Sequence, residues 1–241
     1  MAADESLADL VQALAGAVRE RLFEVRSRIV AAGGDPGTIE ILAVSKGFGP
    51  EAPLAAIEAG LHEIGENYAD ELCEKADAVA RAGGRASWHY IGRIQRRKVG
   101  RLAPLVSCWQ TVSRPEEVDA IAARSREKKP SAFIEVNVSH DASRPGCLLS
   151  GVPSLADTVR RSGLELRGLM CVGPLGAPSE VTEEAFARVA AENARLGLGE
   201  LSIGMSGDLE EAVRQKTTML RLGTALFGPR NPHTLGSSLQ E

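Results

Sequence analysis

The sequence predicts a single (β/α)8 barrel with an extra helix at its N-terminus. The chain has 241 residues, a length that one α/β barrel commonly occupies. After residue 37, short apolar runs alternate with amphipathic segments, a pattern typical of parallel strands joined by helices. Eight such runs can be counted, which favours a closed barrel. A doubly wound open sheet is the alternative, although no GxGxxG motif follows the first predicted strand.

Residues 6–31 are the first predicted element, a long amphipathic helix. Its apolar residues recur every three or four positions and therefore share one face; they are Leu7, Leu10, Val11, Leu14, Val18, Leu22, Val25 and Ile29. Ser6, with Asp9 three residues later, resembles a capping box. Gly33, Gly34 and Pro36 then end the helix. We expect residues 1–37 to pack on the barrel as a helical segment.

The predicted barrel occupies residues 38–230. Strands are expected at 41–44, 62–64, 87–91, 107–112, 132–138, 164–170, 200–203 and 218–222, of which the second and seventh are short. Helical segments are expected at 52–59, 68–82, 94–103, 115–128, 153–162, 180–196 and 208–215. The remaining residues, 231–241, have no apolar periodicity, and we expect them to form a frayed tail.

The composition is that of an ordinary globular protein. Hydrophobic residues make up 44% and charged residues 25% of the chain, which excludes global disorder. The formal net charge of −4 argues against a general nucleic-acid-binding protein. Four cysteines without metal-ligand spacing predict free thiols and no metal site. An acidic N-terminus and the lack of an 18-residue apolar run predict a cytoplasmic protein without a signal peptide or membrane span.

The first predicted strand ends at Ser45-Lys46-Gly47, at the end of the barrel where functional residues are expected. Desolvation at such a position disfavours the ammonium ion and frees an amine that can attack a carbonyl group. Lys46 is therefore a candidate nucleophile. The alternative is a lysine that extends to solvent from a strand end.

The loops after the last two predicted strands are candidates for phosphate binding. Gly204-Met205-Ser206 follows the seventh strand, and Gly223-Thr224 follows Arg221 at the end of the eighth. Small residues that open a helical turn present backbone N–H groups to an anion. In (β/α)8 barrels, the loops after strands seven and eight are a frequent phosphate site.

A nucleophilic lysine and a phosphate site in one barrel are compatible with two alternative classes of ligand. Pyridoxal 5′-phosphate carries both an aldehyde and a phosphate. An aldolase acting on sugar phosphates would use the same two features. Arg221 favours the first interpretation, because an arginine beside the pyridine nitrogen keeps that nitrogen unprotonated. A structural ion pair inside the barrel is the alternative role of Arg221.

Several motifs, in order along residues 38–230, resemble those of the pyridoxal phosphate homeostasis protein family. They are AVSKGFGP at 43–50, GENYADEL at 65–72, WHYIGRIQRRK at 88–98, GMSGDLEEAV at 204–213 and MLRLGTALFG at 219–228. The resemblance implies a fold-type III barrel, like the N-terminal domain of alanine racemase, that binds pyridoxal phosphate.

The resemblance also assigns individual residues. It implies that Lys46 forms the Schiff base, that Arg221 faces the pyridine nitrogen, and that Asn67 and His89 line the cofactor cleft. The phosphate is assigned to Ser206, Gly223 and Thr224, with Gly204 and Met205 in the same loop. A core histidine bonded to the backbone is the alternative reading of His89.

The favoured hypothesis is a non-catalytic carrier and regulator of pyridoxal phosphate (PLP), which holds the cofactor on Lys46 and releases it to PLP-dependent apoenzymes or buffers its free level. We expect the protein to be a monomer. An amino-acid racemase is the alternative, although racemisation needs two bases on opposite faces of the substrate. A third hypothesis is an RNA- or partner-binding module. It depends on a basic patch at 93–101, in which Arg93, Arg97 and Arg101 are expected to share a helix face.

Overall fold

The computed structural model describes residues 6–125, 129–139 and 144–229. The predicted frayed tail, 231–241, lies outside these residues. None of the helices in the described ranges is both long and apolar enough to cross a membrane. The same residues contain no cluster of three or more His, Cys, Asp or Glu side chains that could hold a metal ion.

Eight parallel strands close into a barrel, which confirms the predicted fold class. They are β1 (Glu40–Val44), β2 (Glu63–Glu66), β3 (Ser87–Tyr90), β4 (Val106–Val112), β5 (Ser131–Asn137), β7 (Glu165–Met170), β8 (Glu200–Ser202) and β9 (Met219–Leu222). Adjacent strands pair in chain order, β9 pairs with β1, and the pairing of β4 with β5 completes the ring. A two-residue strand that the sequence did not predict, β6 (Cys147–Leu148), pairs with the end of β5 outside the ring.

The helices lie between the strands, as expected for right-handed βα crossovers. They are α1 (Leu7–Ala31), α2 (Glu51–Glu58), α3 (Ala69–Arg81), α4 (Arg96–Leu102), α5 (Pro115–Ala122), α6 (Val152–Ser162), α7 (Ser179–Arg195), α8 (Leu209–Arg214) and α9 (Thr224–Phe227). The sequence predicted α1 closely, and its Ser6 cap accepts a hydrogen bond from the Asp9 N–H. The short α9 lies where the sequence predicted a helical turn after the last strand.

The basic patch is not the helix face that the sequence predicted. The helix α4 begins at Arg96 because Gln95 is extended, so Arg93 lies in the preceding loop. Arg101 and Lys98 of the patch form ion pairs with Asp70 of α3. The prediction that Arg93 and Arg101 share a helix face is therefore wrong.

Alternating side chains divide the core into two parts. The larger part lies between the strands and the surrounding helices, and includes Ile41 and Ala43 of β1. Leu42 instead belongs to a separate cluster inside the barrel, with Phe133 and Met219. Both faces of the strands are buried, as parallel sheets require. Polar side chains can therefore reach solvent mainly at the two ends of the barrel.

Candidate functional site

A cavity of about 410 Å³ opens at the C-terminal ends of the barrel strands. Seven of the nine site residues predicted from the sequence line it: Lys46, Asn67, Met205, Ser206, Arg221, Gly223 and Thr224. The cavity volume lies in the range typical of small-molecule sites, roughly 300–1,000 Å³. Closure of the barrel thus brings together residues that are far apart in the sequence.

A larger cavity, of about 570 Å³, lies away from this mouth. It is more open to solvent and is lined by residues after β5, by β6 and by Arg188 and Glu192 of α7. Lys46 and the two candidate phosphate loops do not contribute to its described lining. We therefore place the functional site at the barrel mouth.

Lys46 occupies a tight turn directly after β1. The Phe48 N–H donates to the Ser45 carbonyl oxygen at 3.1 Å, which closes a four-residue turn around Lys46 and Gly47. Gly47 has a φ of 73°, close to the value that the third residue of a type II turn requires. A side chain at position 47 would be strained there. Lys46 itself is half-buried and contributes to the cavity wall.

The two candidate phosphate loops contact each other at the cavity. The Ser206 hydroxyl oxygen accepts hydrogen bonds from the Ala225 N–H at 3.2 Å and from the Thr224 hydroxyl at 3.3 Å. Gly223 leaves room beside the end of β1, because a Cβ atom there would lie 3.3 Å from the Val44 carbonyl oxygen. Small side chains and two hydroxyl groups thus form one polar corner of the cavity.

Gly204 supports this corner from behind rather than lining the cavity. Its φ of 93° falls in the left-handed region, and an added Cβ would lie 2.4 Å from the Ala212 side chain. The following residue, Met205, has its N–H bonded to the Asp208 carboxylate at 2.5 Å. This local geometry explains why the loop needs a glycine at position 204.

Arg221 is buried and its guanidinium group faces the cavity. One amino group donates to the Ser202 carbonyl oxygen at 2.6 Å and to the Ser202 hydroxyl at 2.9 Å. The other donates to the Cys171 carbonyl oxygen at 2.8 Å. Burial lowers the pKa of Arg221 from its ordinary value. Among the described residues it is held by these oxygens and not by a carboxylate, so it is not the structural ion pair considered from the sequence.

A chain of hydrogen bonds runs from Arg221 through the inside of the barrel. The Ser202 hydroxyl donates to the Gln110 amide oxygen at 2.8 Å, and the Gln110 amide nitrogen lies 2.7 Å from His89 Nδ1. His89 Nε2 in turn lies 2.6 Å from a Glu63 carboxylate oxygen. Because an amide N–H can only donate and a carboxylate can only accept, every bond points from Arg221 toward Glu63.

His89 therefore lies below the cavity and not in its wall. Side chains alternate along β3, so His89 and Ile91 face the same side. Ile91 lines the cavity, whereas His89 is one step deeper and fully buried. The structure does not bring His89 to the site that the resemblance implied, and its partners are side chains instead of the backbone.

Glu135 is a cavity residue that the sequence analysis missed. It lies near the end of β5, and its side chain faces the same cavity as Lys46. Burial raises the pKa of Glu135 to about 7, although nearby Arg221 acts in the opposite direction. A carboxylate inside the apolar run at 132–138 was the available signal, because buried strands seldom contain acids.

Two further residues of the cavity wall were not predicted as site residues. Thr111 lies near the C-terminal end of β4 and lines the cavity, and its hydroxyl donates to the Gly92 carbonyl oxygen at 2.6 Å. Arg93 lies in the loop before α4 and reaches the cavity rim. The loop position explains why periodicity placed Arg93 on a helix face instead.

Comparison with known proteins identifies related chains. The family model described as the alanine racemase N-terminal domain matches residues 17–231. A pyridoxal phosphate homeostasis protein of Pseudomonas aeruginosa is 38% identical over 227 residues, covering 89% of this chain and 96% of that protein. The protein of the same name from Escherichia coli K12 is 34% identical over 233 residues, covering 89% and 97%.

Solved structures give the same relationship. PipY of Synechococcus elongatus, solved with PLP bound, has a TM-score of 0.76 and 28% identity, covering 88% of this chain and 100% of PipY. An alanine racemase of E. faecalis has a TM-score of 0.69 and 17% identity, covering 90% of this chain and 59% of the racemase. At that identity the racemase shares only the fold.

Glu135→Gln is expected to change how stability depends on pH. The raised pKa means that folded Glu135 holds its proton more tightly than the unfolded chain does. This contribution is fully present below about pH 4.5 and is lost as the pH rises through about 7. The loss amounts to about 3 kcal/mol in the free energy of unfolding, which urea denaturation between pH 4 and 8 would measure.

The matched control is Glu116→Gln, which changes an exposed glutamate of α5. We expect Glu135→Gln to flatten the pH profile and Glu116→Gln to leave it as in the unmodified protein. Identical profiles for all three proteins would show that Glu135 does not titrate in this range.

Proposed function

We propose that this chain, which belongs to the pyridoxal phosphate homeostasis protein family, binds pyridoxal 5′-phosphate in the cavity at the barrel mouth and takes part in the homeostasis of this cofactor. One observation carries the proposal: Lys46 and the polar corner formed by Ser206 and Thr224 line the same cavity. The cofactor carries an aldehyde and a phosphate, so its site requires an amine for the first group and hydrogen-bond donors for the second.

The donors in the cavity fit the groups of the cofactor. The hydroxyls of Ser206 and Thr224 would bind the phosphate, and Gly223 leaves the backbone accessible beside them. Arg221, held by three hydrogen bonds to oxygen atoms, would lie toward the ring nitrogen and keep it unprotonated. When bound, pyridoxal phosphate supplies an aldehyde that the Lys46 amine would hold as a reversible Schiff base.

In this proposal the protein carries its ligand and does not turn over amino acids. Racemisation needs a base on each face of the substrate. The chain has two tyrosines, Tyr68 and Tyr90, and neither belongs to the described cavity lining. The Tyr90 hydroxyl instead donates to the Arg93 carbonyl oxygen at 3.3 Å. His89 is held below the cavity and is not available as a base.

An amino-acid racemase is the second candidate, and Glu135 is the observation that favours it. Glu135 and Lys46 line the same cavity, and the pKa of Glu135 is raised by burial to about 7. A carboxyl group with such a pKa can exchange protons near neutral pH. Measurement of proton exchange on amino acids therefore separates the two candidates.

We further infer that the protein acts as a monomer in the cytoplasm and supplies PLP-dependent apoenzymes. The four cysteines are all free, which fits a reducing compartment. Binding of RNA by the basic patch receives less support, because Lys98 and Arg101 are engaged with Asp70. The open mouth of the cavity is the surface through which the ligand would leave.

Lys46→Ala is expected to abolish covalent binding of pyridoxal phosphate while the protein stays folded, because Lys46 is only half-buried. Absorbance in the visible range, with and without borohydride, would measure the Schiff base, and a peptide map would locate the reduced ligand. Lys129→Ala, which changes an exposed lysine before β5, is the control and should keep full binding. Reduced ligand on another lysine would refute the assignment, and a colourless unmodified protein would favour the aldolase interpretation.

Ser206→Ala and Thr224→Val should each weaken binding of pyridoxal phosphate by roughly 1–3 kcal/mol, as lost hydrogen bonds to a charged group do. Titration calorimetry with pyridoxal phosphate and with unphosphorylated pyridoxal would measure the effect. Binding of pyridoxal should change far less. Equal losses for the two ligands would show that the hydroxyls support the fold and not the phosphate.

The protein loaded with pyridoxal phosphate is expected not to turn over amino acids. Exchange of the α-proton of alanine for deuterium, followed by NMR, would test this. Turnover at an ordinary enzymatic rate, about 1–10³ per second, would contradict the carrier proposal. If such turnover were lost in Glu135→Gln, the racemase would become the preferred function.

A further inference from the structure

Two side chains of α3 hold the turn that carries Lys46, one on each side of it. The Lys75 ammonium group donates to the carbonyl oxygen of Ser45 at 2.8 Å. The Gly47 N–H donates to the carboxylate of Glu71 at 3.0 Å. The residues immediately before and after Lys46 are therefore both bonded to the same helix through its side chains.

These side chains belong to a buried charged cluster of Lys75, Glu66 and Glu71. Lys75 is 3% exposed and Glu66 is fully buried. The Lys75 ammonium lies 2.6 Å from Glu66 and 2.7 Å from Glu71. With the bond to Ser45, all three N–H groups of the ammonium have acceptors. A Lys at this depth is tolerated because every one of its donors is paired.

The third member, Glu66, connects the turn to the next strand of the barrel. Its carboxylate accepts from the Ser45 hydroxyl at 2.9 Å and from the Asn67 N–H at 2.7 Å. Asn67 lines the cavity directly after β2. The cluster thus fixes the ends of β1 and β2 relative to each other at the place where both enter the cavity wall.

Stability alone is a poor explanation for such a cluster. Removing charges from water costs several kcal/mol per ion, and apolar side chains of similar volume often stabilise a core equally well. Hydrogen bonds from charged groups also fix the orientation of the backbone that they contact, because each bond needs a defined donor and acceptor. The bonds end on the backbone on either side of Lys46, and Lys46 lines the cavity.

We propose that Lys75, Glu66 and Glu71 are positioning residues that fix the Lys46 turn, so that the Lys46 amine is presented to the ligand in the cavity. This inference rests on the proposed binding of pyridoxal phosphate. A turn without these bonds would sample other conformations, and ordering it again would reduce the affinity for any ligand that bonds to Lys46.

The test compares Glu71→Ala with Glu74→Ala in the full chain. Both are glutamates of α3, but Glu74 is exposed and takes no part in the cluster. Glu71→Gln is the conservative variant, since its amide oxygen can still accept from the Gly47 N–H. Hydrogen exchange of the Gly47 amide is measured by NMR on protein without added ligand, and the Kd for pyridoxal phosphate is measured by visible absorbance.

For Glu71→Ala we expect exchange at Gly47 to accelerate by about tenfold or more and the Kd to rise by about tenfold, equivalent to 1.4 kcal/mol. Glu71→Gln should recover most of both effects, and Glu74→Ala should match the unmodified protein. If Glu71→Ala does not fold, Glu71→Asp replaces it, because it keeps the charge beside Lys75 but is one methylene too short to reach the Gly47 N–H in the same way. Faster exchange at Gly47 with a higher Kd then supports the proposal, and values equal to those of Glu74→Ala overturn it.

Three results would overturn the positioning role. They are unchanged exchange in Glu71→Ala, faster exchange with an unchanged Kd, and equal losses in Glu71→Ala and Glu74→Ala. If the unmodified protein binds no pyridoxal phosphate, the proposed function fails, while the exchange rates still decide whether Glu71 fixes the turn. Failure of the positioning role is therefore distinguishable from failure of the proposed binding of pyridoxal phosphate.

Discussion

Closure of the parallel barrel brings the residues of the candidate site together and fixes where polar side chains can lie. The pairing of β4 with β5 completes the ring, and all eight strands then point their C-terminal ends the same way. Lys46 at the end of β1, Glu135 on β5 and Arg221 on β9 consequently meet at one cavity. Parallel strands also leave both faces buried, so the ends of the barrel are where polar side chains can act on a ligand.

Two networks of buried polar side chains hold the cavity through their hydrogen bonds. Arg221 is joined through Ser202 and Gln110 to His89 within the barrel, and Lys75 is saturated by its acceptors outside it. An unpaired buried donor or charge would cost several kcal/mol, so partial versions of either arrangement would be unstable. The two arrangements hold the cavity from two directions, one beneath Arg221 and the other behind Lys46.

The N-terminal helix α1 supports the opposite side of the cavity from outside the barrel. Arg28 bonds to Glu210 of α8 and to the Ser206 carbonyl oxygen at 3.2 Å. Arg21 donates to the Leu226 carbonyl oxygen of α9 at 3.0 Å. The Arg28–Glu210 pair is more than a third exposed, so its contribution to stability is small. The effect of these bonds is geometric, because Arg28 ties α1 to the Ser206 loop and Arg21 ties it to α9, which begins at Thr224.

Local patterns in the sequence were sufficient to predict the helices and strands and to select several candidate site residues. Apolar periodicity predicted α1 and the eight strands, and strand ends with small residues predicted Lys46 and the loops at Ser206 and Thr224. The strands and helices follow the prediction because the side-chain pattern of each element depends on neighbours a few residues away.

How deeply a side chain lies in the barrel, and which side chains it contacts, follow from the packing of the strands and helices and not from local patterns. Alternation along β3 places His89 on the inner face of the barrel. Its distance from the mouth depends on the register of β3 with its neighbours, and in this register His89 lies buried below the cavity. Because α4 begins only at Arg96, Arg93 lies at the cavity rim and not on the predicted helix face. The roles of Glu135 and Lys75 likewise come from tertiary contacts. Glu135 faces the cavity that Lys46 lines, and Lys75 bonds to residues at the ends of β1 and β2. Apolar periodicity does not show which elements lie side by side.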